Sequence, residues 1–561
     1  MKNNSLPTFR FIIPSFPYFN IYSYIKMPPL GIMSVARAVH DLKSFNVEVI
    51  DENNYSGNLD HFKLQKERPA KYVGLYGGLT STIPRLLEIS EIYKETGSMV
   101  IAGGNHVDIK SEEILPMSSM DVIVNGEGEI TIKELMTNLE QNKGISEVAG
   151  ITYCENDRVY RTEKRPPIGN LDDIEPPDFS LLKNTNKPLK YIPINMTRGC
   201  NYNCEFCIVR HHLGHSRCFS NKVVLDQYIK YSNMGIHEFF FTDDNFIQYP
   251  QKTMELCENI AEIRQKMSKS PDITAQVRVD AGRKREILKA MRAAGVKTLC
   301  IGYESPLDED LMNMKKNLTV DQQIRYTKIL KQEGFYIHGM FIFGYPTFLN
   351  SSKKVNIPLR ERAKKFLNFV KMNKIDTIQI LLPVPIPGTR LEKKLKKEGR
   401  LFPTEIVNWD KYDGNWLCFC PDSGLSPQEF QYWGNWIMKK FYNLNNMIFM
   451  LFRIPKSISL SPIKLSINIF RDLWNHKITI LFSSVSLKLI LSKKRRIWSY
   501  INKCFSIYKE NIIASFRNFK WRFCGYVLIK MWRKKFNKED FYSTIDKAFN
   551  ALKFKKQNLQ N

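Results

Sequence analysis

The sequence predicts an α/β fold made of two successive parallel-sheet domains and a basic helical carboxyl-terminal extension. Three observations predict it: short apolar runs that alternate with helix-length segments, glycines after successive runs, and a sharp rise in positive charge near the end of the chain. Parallel strands need long crossover connections, usually helices, so this alternation favours parallel sheets. The 561 residues, 43% of them hydrophobic, suffice for two or three cores and exclude a small module or a disordered chain.

The first predicted domain covers residues 1–148. Strands are expected at 9–14, 47–50, 72–75, 99–102 and 122–124, with a helix at 30–42. Glycines follow three successive strands, as Gly77-Gly78, Gly103-Gly104 and Gly126-Glu127-Gly128. Any one of these groups could merely ease a turn. Because open α/β sheets bind ligands at the carboxyl ends of their strands, three groups on one edge predict a ligand site.

A predicted hairpin and a proline-rich linker occupy residues 149–189, and a second α/β series occupies residues 190–425. Its strands are expected at 191–195, 238–242, 272–277, 298–301, 336–343 and 377–382, with helices such as 250–266 and 320–333 between them. Six βα units can form a partial parallel barrel. Chemistry is then expected at the carboxyl ends of the strands.

Three cysteines follow the first strand of this second series. Cys200, Cys204 and Cys207 have the spacing C-x3-C-x2-C, with Gly199 before the first and Phe206 before the third. Three thiolates on one loop suit a [4Fe–4S] cluster, in which they hold three irons and leave the fourth open. A zinc site completed by nearby histidines or Cys218 is the alternative. The position after a predicted strand favours the cluster.

With this motif the sequence resembles the radical S-adenosylmethionine (SAM) superfamily, and within it the class with a cobalamin (B12)-binding domain. The resemblance covers residues 8–430, about three-quarters of the chain. It implies a [4Fe–4S] cluster that chelates SAM and, by one-electron cleavage, yields a 5′-deoxyadenosyl radical. It also implies a Rossmann-like cobalamin-binding-type domain, a partial (β/α)6 radical SAM barrel, and cobalamin as a further cofactor.

The resemblance also implies roles for residues of the barrel. Asp243 and Asp244 resemble the acidic segment that faces the SAM amino group, and Glu304 resembles a glutamate that approaches the ribose. Arg278 lies where relatives present polar groups to SAM or substrate, and Phe206 is expected to contact adenine. The alternatives are an acidic helix cap for the aspartates and a surface ion pair for Arg278.

In the first domain, the resemblance implies cobalamin-binding positions after the third, fourth and fifth strands. They are Thr80, Ser81, Gly103, Gly104, Gly126 and Glu127. The Asp-x-His-x-x-Gly motif of other cobalamin proteins is absent, which implies a corrin held without a histidine on its lower face. His106 is not expected to bind cobalt.

The extension, residues 426–561, is dominated by positive charge. From residue 451 onward, 24 Lys and Arg face 5 Asp and Glu, and this accounts for most of the chain's net charge of +27. Cations interleave with aromatic residues, as in the amphipathic segment 512–530. We expect docking on an anionic membrane surface, with packing on the barrel and nucleic-acid binding as alternatives.

Together these patterns predict a radical SAM enzyme that methylates an unactivated carbon of a small-molecule or lipid substrate. The alternatives are radical cyclisation, carbon–carbon coupling or rearrangement without methyl transfer, and a non-catalytic iron–sulfur or zinc protein that binds nucleic acid. An electron donor such as flavodoxin or ferredoxin is the expected partner. The expected location is the cytoplasm, at the membrane surface if the extension docks there.

Overall fold

The computed structural model describes residues 6–18, 26–186, 189, 191–348, 357–443, 522–523, 525–527, 529–530 and 538–558. Two parallel sheets organise most of this part of the chain, with helices packed on their faces. The fifteen strands among the described residues are β1 Thr8–Ile13, β2 Asn46–Asp51, β3 Tyr72–Tyr76, β4 Met99–Gly103, β5 Val122–Val124, β6 Ile151–Glu155, β7 Arg158–Arg161, β8 Ile192–Ile194, β9 Thr197–Arg198, β10 Arg217–Cys218, β11 Glu238–Phe241, β12 Asp272–Val277, β13 Val296–Glu304, β14 Tyr336–Ile342 and β15 Thr377–Leu381.

The α-helices of the same described segments connect and cover these strands. They are α1 Leu30–His40, α2 His61–Glu67, α3 Ile83–Glu95, α4 Asn105–Ile109, α5 Ser111–Ile114, α6 Gly128–Glu140, α7 Val209–Leu213, α8 Asn221–Asn233, α9 Pro250–Gln265, α10 Arg285–Ala293, α11 Asp308–Asn313, α12 Val320–Gln332, α13 Leu359–Met372, α14 Arg390–Lys397, α15 Pro427–Phe441 and α16 Lys538–Asn558.

The first sheet has the strand order β2-β1-β3-β4-β5-β6-β7. Strands β1 to β5 are parallel, as predicted, and the hairpin β6–β7 extends the sheet antiparallel from β5. The order in which successive strands are added reverses between β1 and β3, which places a ligand crevice at the carboxyl ends of these strands. The core on one face packs apolar side chains of β3 and β4 against Ile83, Leu86 and Ile89 of α3.

The second sheet has the order β15-β14-β13-β12-β11-β8 and is parallel throughout, as the six predicted βα units require. Polar side chains mark several helix starts. The hydroxyl oxygens of Ser220, Thr319 and Thr389 accept hydrogen bonds from backbone amides in the first turns of α8, α12 and α14. Strand β13 runs past its predicted end to Glu304, where φ is +63°.

The chain divides into one unit formed by residues 1–437 with 536–561, and a second unit formed by residues 438–535. In the first unit, the Phe541 ring of α16 lies 4.3 Å from the Trp416 ring, and Gln428 donates to the carboxylate of Asp546. In the second, the Arg522 guanidinium lies over the Phe441 ring. Most of the amphipathic segment 512–530 lies outside the described residues. No helix of the described segments combines the length and apolar character needed to cross a membrane.

Candidate functional site

A cavity of about 340 Å3 lies between the carboxyl edge of the first sheet and the second α/β domain. One wall combines glycines at or after the ends of β3, β4 and β5 with apolar side chains such as Phe11 and Leu75. The opposite wall carries Thr197 and Arg198 of β9, Thr242 and Asp244 after β11, and residues of α7. Of the residues that the sequence assigned to cofactors, Gly103, Gly104, Gly126, Glu127 and Asp244 line this cavity.

The cysteine loop, residues 199–207, connects β9 to α7 beside this wall. Gly199 begins it at φ +84°, where a Cβ atom would lie 2.6 Å from the carbonyl oxygen of His215, so only glycine fits there. Cys204 is buried, whereas Cys200 and Cys207 are partly exposed. The three thiols are close enough that a charge on one raises the pKa of another.

Backbone contacts fix this loop on both sides. The amide of Glu205 donates to the Met314 carbonyl at 3.1 Å, and the amide of Leu391 donates to the Glu205 carbonyl at 3.0 Å. The residue next to Cys204 is thus held between two segments of the barrel. Such anchoring keeps the cysteines in place before any metal is bound.

Burial raises the pKa of all three thiols, and that of Cys207 to about 12. A thiol that remains protonated at neutral pH is a poor ligand until a metal displaces its proton. The nearby cations of Arg278 and Lys316 oppose this effect at Cys204. Three thiols on one loop are the donor set that an iron–sulfur cluster uses.

The two aspartates after β11 have different surroundings. Asp243 is 1% exposed, and its carboxylate accepts hydrogen bonds from the Met196 amide and from the amide and hydroxyl of Thr197. Its side chain therefore ties β11 to the chain before the cysteine loop. Its partners lie 46 and 47 residues earlier in the chain, so they are not the amides of a following helix turn.

Asp244 instead lines the cavity. Burial, with a smaller contribution from the charge of Asp243, raises its pKa to about 7. A carboxylate in such a position is stabilised when a cationic group arrives. The ammonium of an amino acid would supply that charge.

Arg278 is 6% exposed, so the ion pair with Asp280 that was considered as an alternative is present but is largely buried rather than on the surface. Its guanidinium lies 3.8 Å from the centroid of the Tyr202 ring, inside the cysteine loop. It also donates to the Lys316 carbonyl at 3.0 Å and to Asp280 at 3.3 Å. Arg278 thus supports the cysteine loop from the end of β12.

Glu304 ends β13 and is 7% exposed. Its carboxylate accepts from the Lys316 ammonium at 2.7 Å, and both groups influence the pKa of the Cys204 thiol. Phe206 lies 6.5 Å, ring to ring, from the buried Tyr345. Glu304 therefore lies near the cysteine loop with a cationic partner, and the expected contacts of Glu304 with the ribose and of Phe206 with adenine stay predictions.

The glycines of the first sheet leave open backbone along the cavity. A Cβ atom on Gly31 or Gly126, which both line the cavity, would meet no other atom within 4 Å. Gly104 has φ +118°, and a Cβ atom there would lie 2.6 Å from the Gly78 amide nitrogen. The first two leave open space along the cavity, and the third lets two loops approach closely.

Thr80 and Ser81 are buried and lie in a short 3-10 helix, Thr80–Thr82. Neither residue lines the cavity. The Thr80 hydroxyl lies 3.0 Å from Nδ1 of His106, whose ring packs against Trp409 at 4.8 Å. Burial lowers the pKa of His106 to about 3. These residues therefore contact the segment around Trp409.

Ion pairs that the sequence analysis missed join the two domains beside the cavity. Arg198, directly before Gly199, donates to Glu129 at 2.6 Å and to Glu127 at 3.3 Å, and Arg217 donates to Glu127 at 2.7 Å. His212 pairs with Asp108 at 3.3 Å. The only sequence signals were an arginine next to the cysteine motif and acidic residues around Gly128. Glu127 is thus held by arginines while it lines the cavity.

The side chains proposed as alternative zinc ligands have other partners. His212 pairs with Asp108, His215 hydrogen-bonds Arg210, and the Cys218 thiol donates to the Phe219 carbonyl at 3.1 Å. Among the described residues, no three His, Cys, Asp or Glu side chains converge on one point as the ligands of a single metal ion do.

Comparison with known proteins gives consistent matches. Residues 194–351 match the radical SAM superfamily and residues 20–136 match the B12 binding domain. An uncharacterized methyltransferase of Pyrococcus horikoshii is 29% identical over 69% of this chain and 81% of its own. A bacteriochlorophyllide d C-12(1)-methyltransferase of Chlorobaculum tepidum is 27% identical over 63% of this chain and 73% of its own.

Two further matches are a relative that is named for a different reaction and a solved structure with a similar fold. An anaerobic magnesium-protoporphyrin IX monomethyl ester cyclase of Rubrivivax gelatinosus is 28% identical over 48% of this chain and 50% of its own. The structure of the cobalamin-dependent S-adenosylmethionine radical enzyme OxsB with aqua-cobalamin bound has a TM-score of 0.59 and 17% identity. That alignment covers 98% of this chain and 84% of the other, and shows a shared fold.

These domains imply a [4Fe–4S] cluster, SAM and cobalamin, and the residues present fit them. Three buried or half-buried thiols share one anchored loop, an uncompensated carboxylate lies on the wall next to it, and a glycine-lined edge faces both across the cavity. The chain therefore carries a radical SAM domain with a B12-binding domain amino-terminal to it.

Proposed function

We propose that the protein is a cobalamin-dependent radical SAM methyltransferase that acts on an unactivated carbon of a small organic molecule. The observation that carries the proposal is the cavity itself. Its glycine-lined wall comes from the B12-binding domain, and its other wall includes Asp244 and Arg198, next to the cysteine loop. One cavity thus adjoins the sites for both cofactors, as methyl transfer requires.

The residues of the chain have separate tasks in this proposal. Cys200, Cys204 and Cys207 hold the cluster, and Asp244 binds the SAM ammonium. Arg278 and the Glu304–Lys316 pair keep the loop and its charges in place. When bound, the cluster supplies the electron that cleaves SAM, and cobalamin carries the methyl group.

The walls of the cavity also carry many apolar side chains. Phe11, Leu75 and Ile101 of the first sheet, with Ile32 and Val35 of α1, give much of its lining an apolar character. Apolar walls limit the access of water to a reactive radical. They also favour a hydrophobic acceptor, such as a lipid or a pigment. The name of the Chlorobaculum tepidum relative assigns that enzyme a bacteriochlorophyllide.

Anaerobic purification with cobalamin supplied, followed by iron, sulfide and cobalt analysis, tests the proposal. We expect about four irons and one cobalt per chain, and formation of both 5′-deoxyadenosine and S-adenosylhomocysteine on turnover. Four irons without cobalt would overturn the methyl-transfer part and leave the radical part.

Radical cyclisation is the second candidate, because one relative is named a cyclase. S-adenosylhomocysteine discriminates the two reactions, since methyl transfer from SAM must produce it and cyclisation does not. Turnover that yields 5′-deoxyadenosine alone would favour the cyclase reaction.

We also propose that the basic extension brings the enzyme to an anionic membrane surface. Its charge and interleaved aromatic residues support this proposal. The test is co-sedimentation of the full-length protein with vesicles. Equal binding to anionic and neutral vesicles would contradict it.

A further inference from the structure

A group of basic side chains lies on the surface directly outside the cysteine loop. We define this basic rim as Lys315, Arg390, Lys393, Lys394 and Lys397. Four of its members lie on α14, whose eight residues include five cations and one acid. Positions 390, 393, 394 and 397 follow the i, i+3, i+4, i+7 spacing, so they share one face of the helix.

The rim is joined to the cysteine loop through Glu205. The Glu205 side chain is 1% exposed and its carboxylate lies 2.7 Å from the Lys315 ammonium, 3.0 Å from that of Lys394 and 3.7 Å from the Arg390 guanidinium. Glu205 follows Cys204 directly, and its backbone bonds to the first turn of α14. The rim therefore lies one residue from a predicted cluster ligand.

One buried carboxylate does not neutralise this group. Lys315, Arg390 and Lys394 keep between 35% and 55% of their side chains exposed, and Lys393 and Lys397 are exposed. The positive field reaches the neighbouring α7, where burial together with Arg390 and Lys393 lowers the pKa of His211. The rim presents positive charge to solvent at the point where the cysteine loop approaches the surface.

We infer that the basic rim is the docking surface for an acidic one-electron carrier protein that reduces the cluster. The inference rests on the proposed function, because only a cluster that must be reduced needs such a partner. One electron leaves the carrier, which is oxidised, and enters the cluster, which is reduced. No bond forms or breaks.

The chemistry of the rim favours this partner over other anionic ones. The apolar residues of α14, Leu391 and Leu395, are fully buried, so the helix offers no apolar face to a bilayer. Electron-transfer complexes are small and transient, and opposite charges accelerate their encounter. A short cluster of cations beside a redox centre suits such an encounter.

Lys393 and Lys397 are the residues to change, because the other three hold Glu205. The variant K393E/K397E reverses two exposed charges. The matched control, K63E/K66E, makes the same change on exposed positions of α2 in the first domain. The probe is a reduced flavodoxin with an acidic surface. Its bimolecular rate of cluster reduction is followed by stopped-flow absorbance, and the binding of its oxidised form gives a readout that needs no turnover.

We expect the rim variant to lose about tenfold in both rate and affinity at low salt, while the control is unchanged. The rate with unmodified protein falls as salt rises. Equal rates and affinities in the rim variant and the control, or a rate independent of salt, would overturn the inference. Loss of RNA binding in the rim variant with an unchanged flavodoxin rate would assign the surface to nucleic acid and also overturn it.

Titanium(III) citrate, a small reductant that needs no docking, separates this inference from the proposed function. All three proteins are expected to cleave SAM at equal rates with it. If the unmodified protein forms no 5′-deoxyadenosine with titanium(III) citrate, the proposed function fails. If it does and the flavodoxin rates do not differ, only the docking surface fails.

Discussion

The two sheets of this protein use the same structural position in opposite ways. At the carboxyl edge of the first sheet, Gly78, Gly104 and Gly126 expose backbone to the cavity. Near the corresponding edge of the second sheet lie side chains with raised pKa values, namely Asp244 and the three cysteines. In the proposed function, the first edge recognises its ligand by shape and the second by charge and donor atoms.

The comparison teaches where substitutions should act. A large, mostly uncharged cofactor needs space and close backbone approach, so the first edge tolerates few added atoms. A metal cluster and the zwitterionic amino-acid part of SAM need specific donor atoms, so removing a donor side chain from the second edge should impair binding. The acidic residues Glu127 and Glu129 at this first edge are held by arginines, and a separate buried network surrounds Glu52.

The largest effect is expected at the cysteines. Replacing Cys200, Cys204 and Cys207 by Ala should remove the cluster absorbance and lower 5′-deoxyadenosine formation more than about 10³-fold, because no other donors replace the thiolates. C154S, at an exposed cysteine of β6, is the control. If the triple variant still cleaved SAM, the second edge would not act through its donor atoms and the proposed difference between the two edges would be wrong.

The next largest effect is expected at the ion pair between Arg198 and Glu129, which connects the two α/β domains. R198M should lower the free energy of unfolding by about 3 kcal/mol, because Glu129 is 4% exposed and would lose its cationic partner. Urea unfolding measures the change. Adding E129Q to R198M removes the unpaired charge and should restore part of the loss; no recovery would show that the ion pair is not its source.

A smaller effect is expected inside the first domain. Burial raises the pKa of Glu52, but hydrogen bonds from His61 and Arg85 outweigh it and lower the pKa to about 2. The stabilisation is present above the unfolded-state pKa near 4.5 and is lost as pH falls towards 2. E52Q should therefore cost about 2 kcal/mol at pH 7.

Urea midpoints of E52Q and the unmodified protein should converge between pH 4.5 and 2. E88Q, in a more exposed contact of the same Arg85, is the control. A difference that stays constant down to pH 2 would mean that Glu52 is not charged in the folded protein.

The smallest effect is expected at the glycine-lined edge. G31V should lower cobalamin affinity about tenfold while iron content stays unchanged, because the added methyl groups enter the cavity without a clash. G169V, at a glycine that also has open space but lies in the linker, is the control. Unchanged cobalt occupancy in G31V would place the corrin elsewhere.

Much of this architecture follows from sequence patterns. The strands of both sheets were predictable because apolar runs of four to six residues alternate with helical periodicity, and the cysteine motif marked the cluster loop by itself. The residues whose roles could not be predicted from the sequence have partners that are distant in the chain. Arg198 and Glu129 are 69 residues apart, and no local pattern joins them.

The aspartates illustrate the same limit. Asp243 and Asp244 are adjacent and chemically identical, and only the pleat of the chain after β11 decides which one faces the cavity. The hairpin β6–β7 was predicted as an element, but its pairing with β5 depends on the free edge of the sheet. Burial and register, rather than composition, set these outcomes.

The anchoring of the cysteine loop has a consequence for how the enzyme matures. Asp243 fixes the chain before the loop, and Glu205 is bonded on both sides within it. Little conformational entropy is then lost when iron arrives, in contrast to small metal-dependent domains that fold only around their ion. The chain is therefore expected to fold first and to be loaded afterwards, so that iron supply limits the fraction of active enzyme rather than the amount of folded protein.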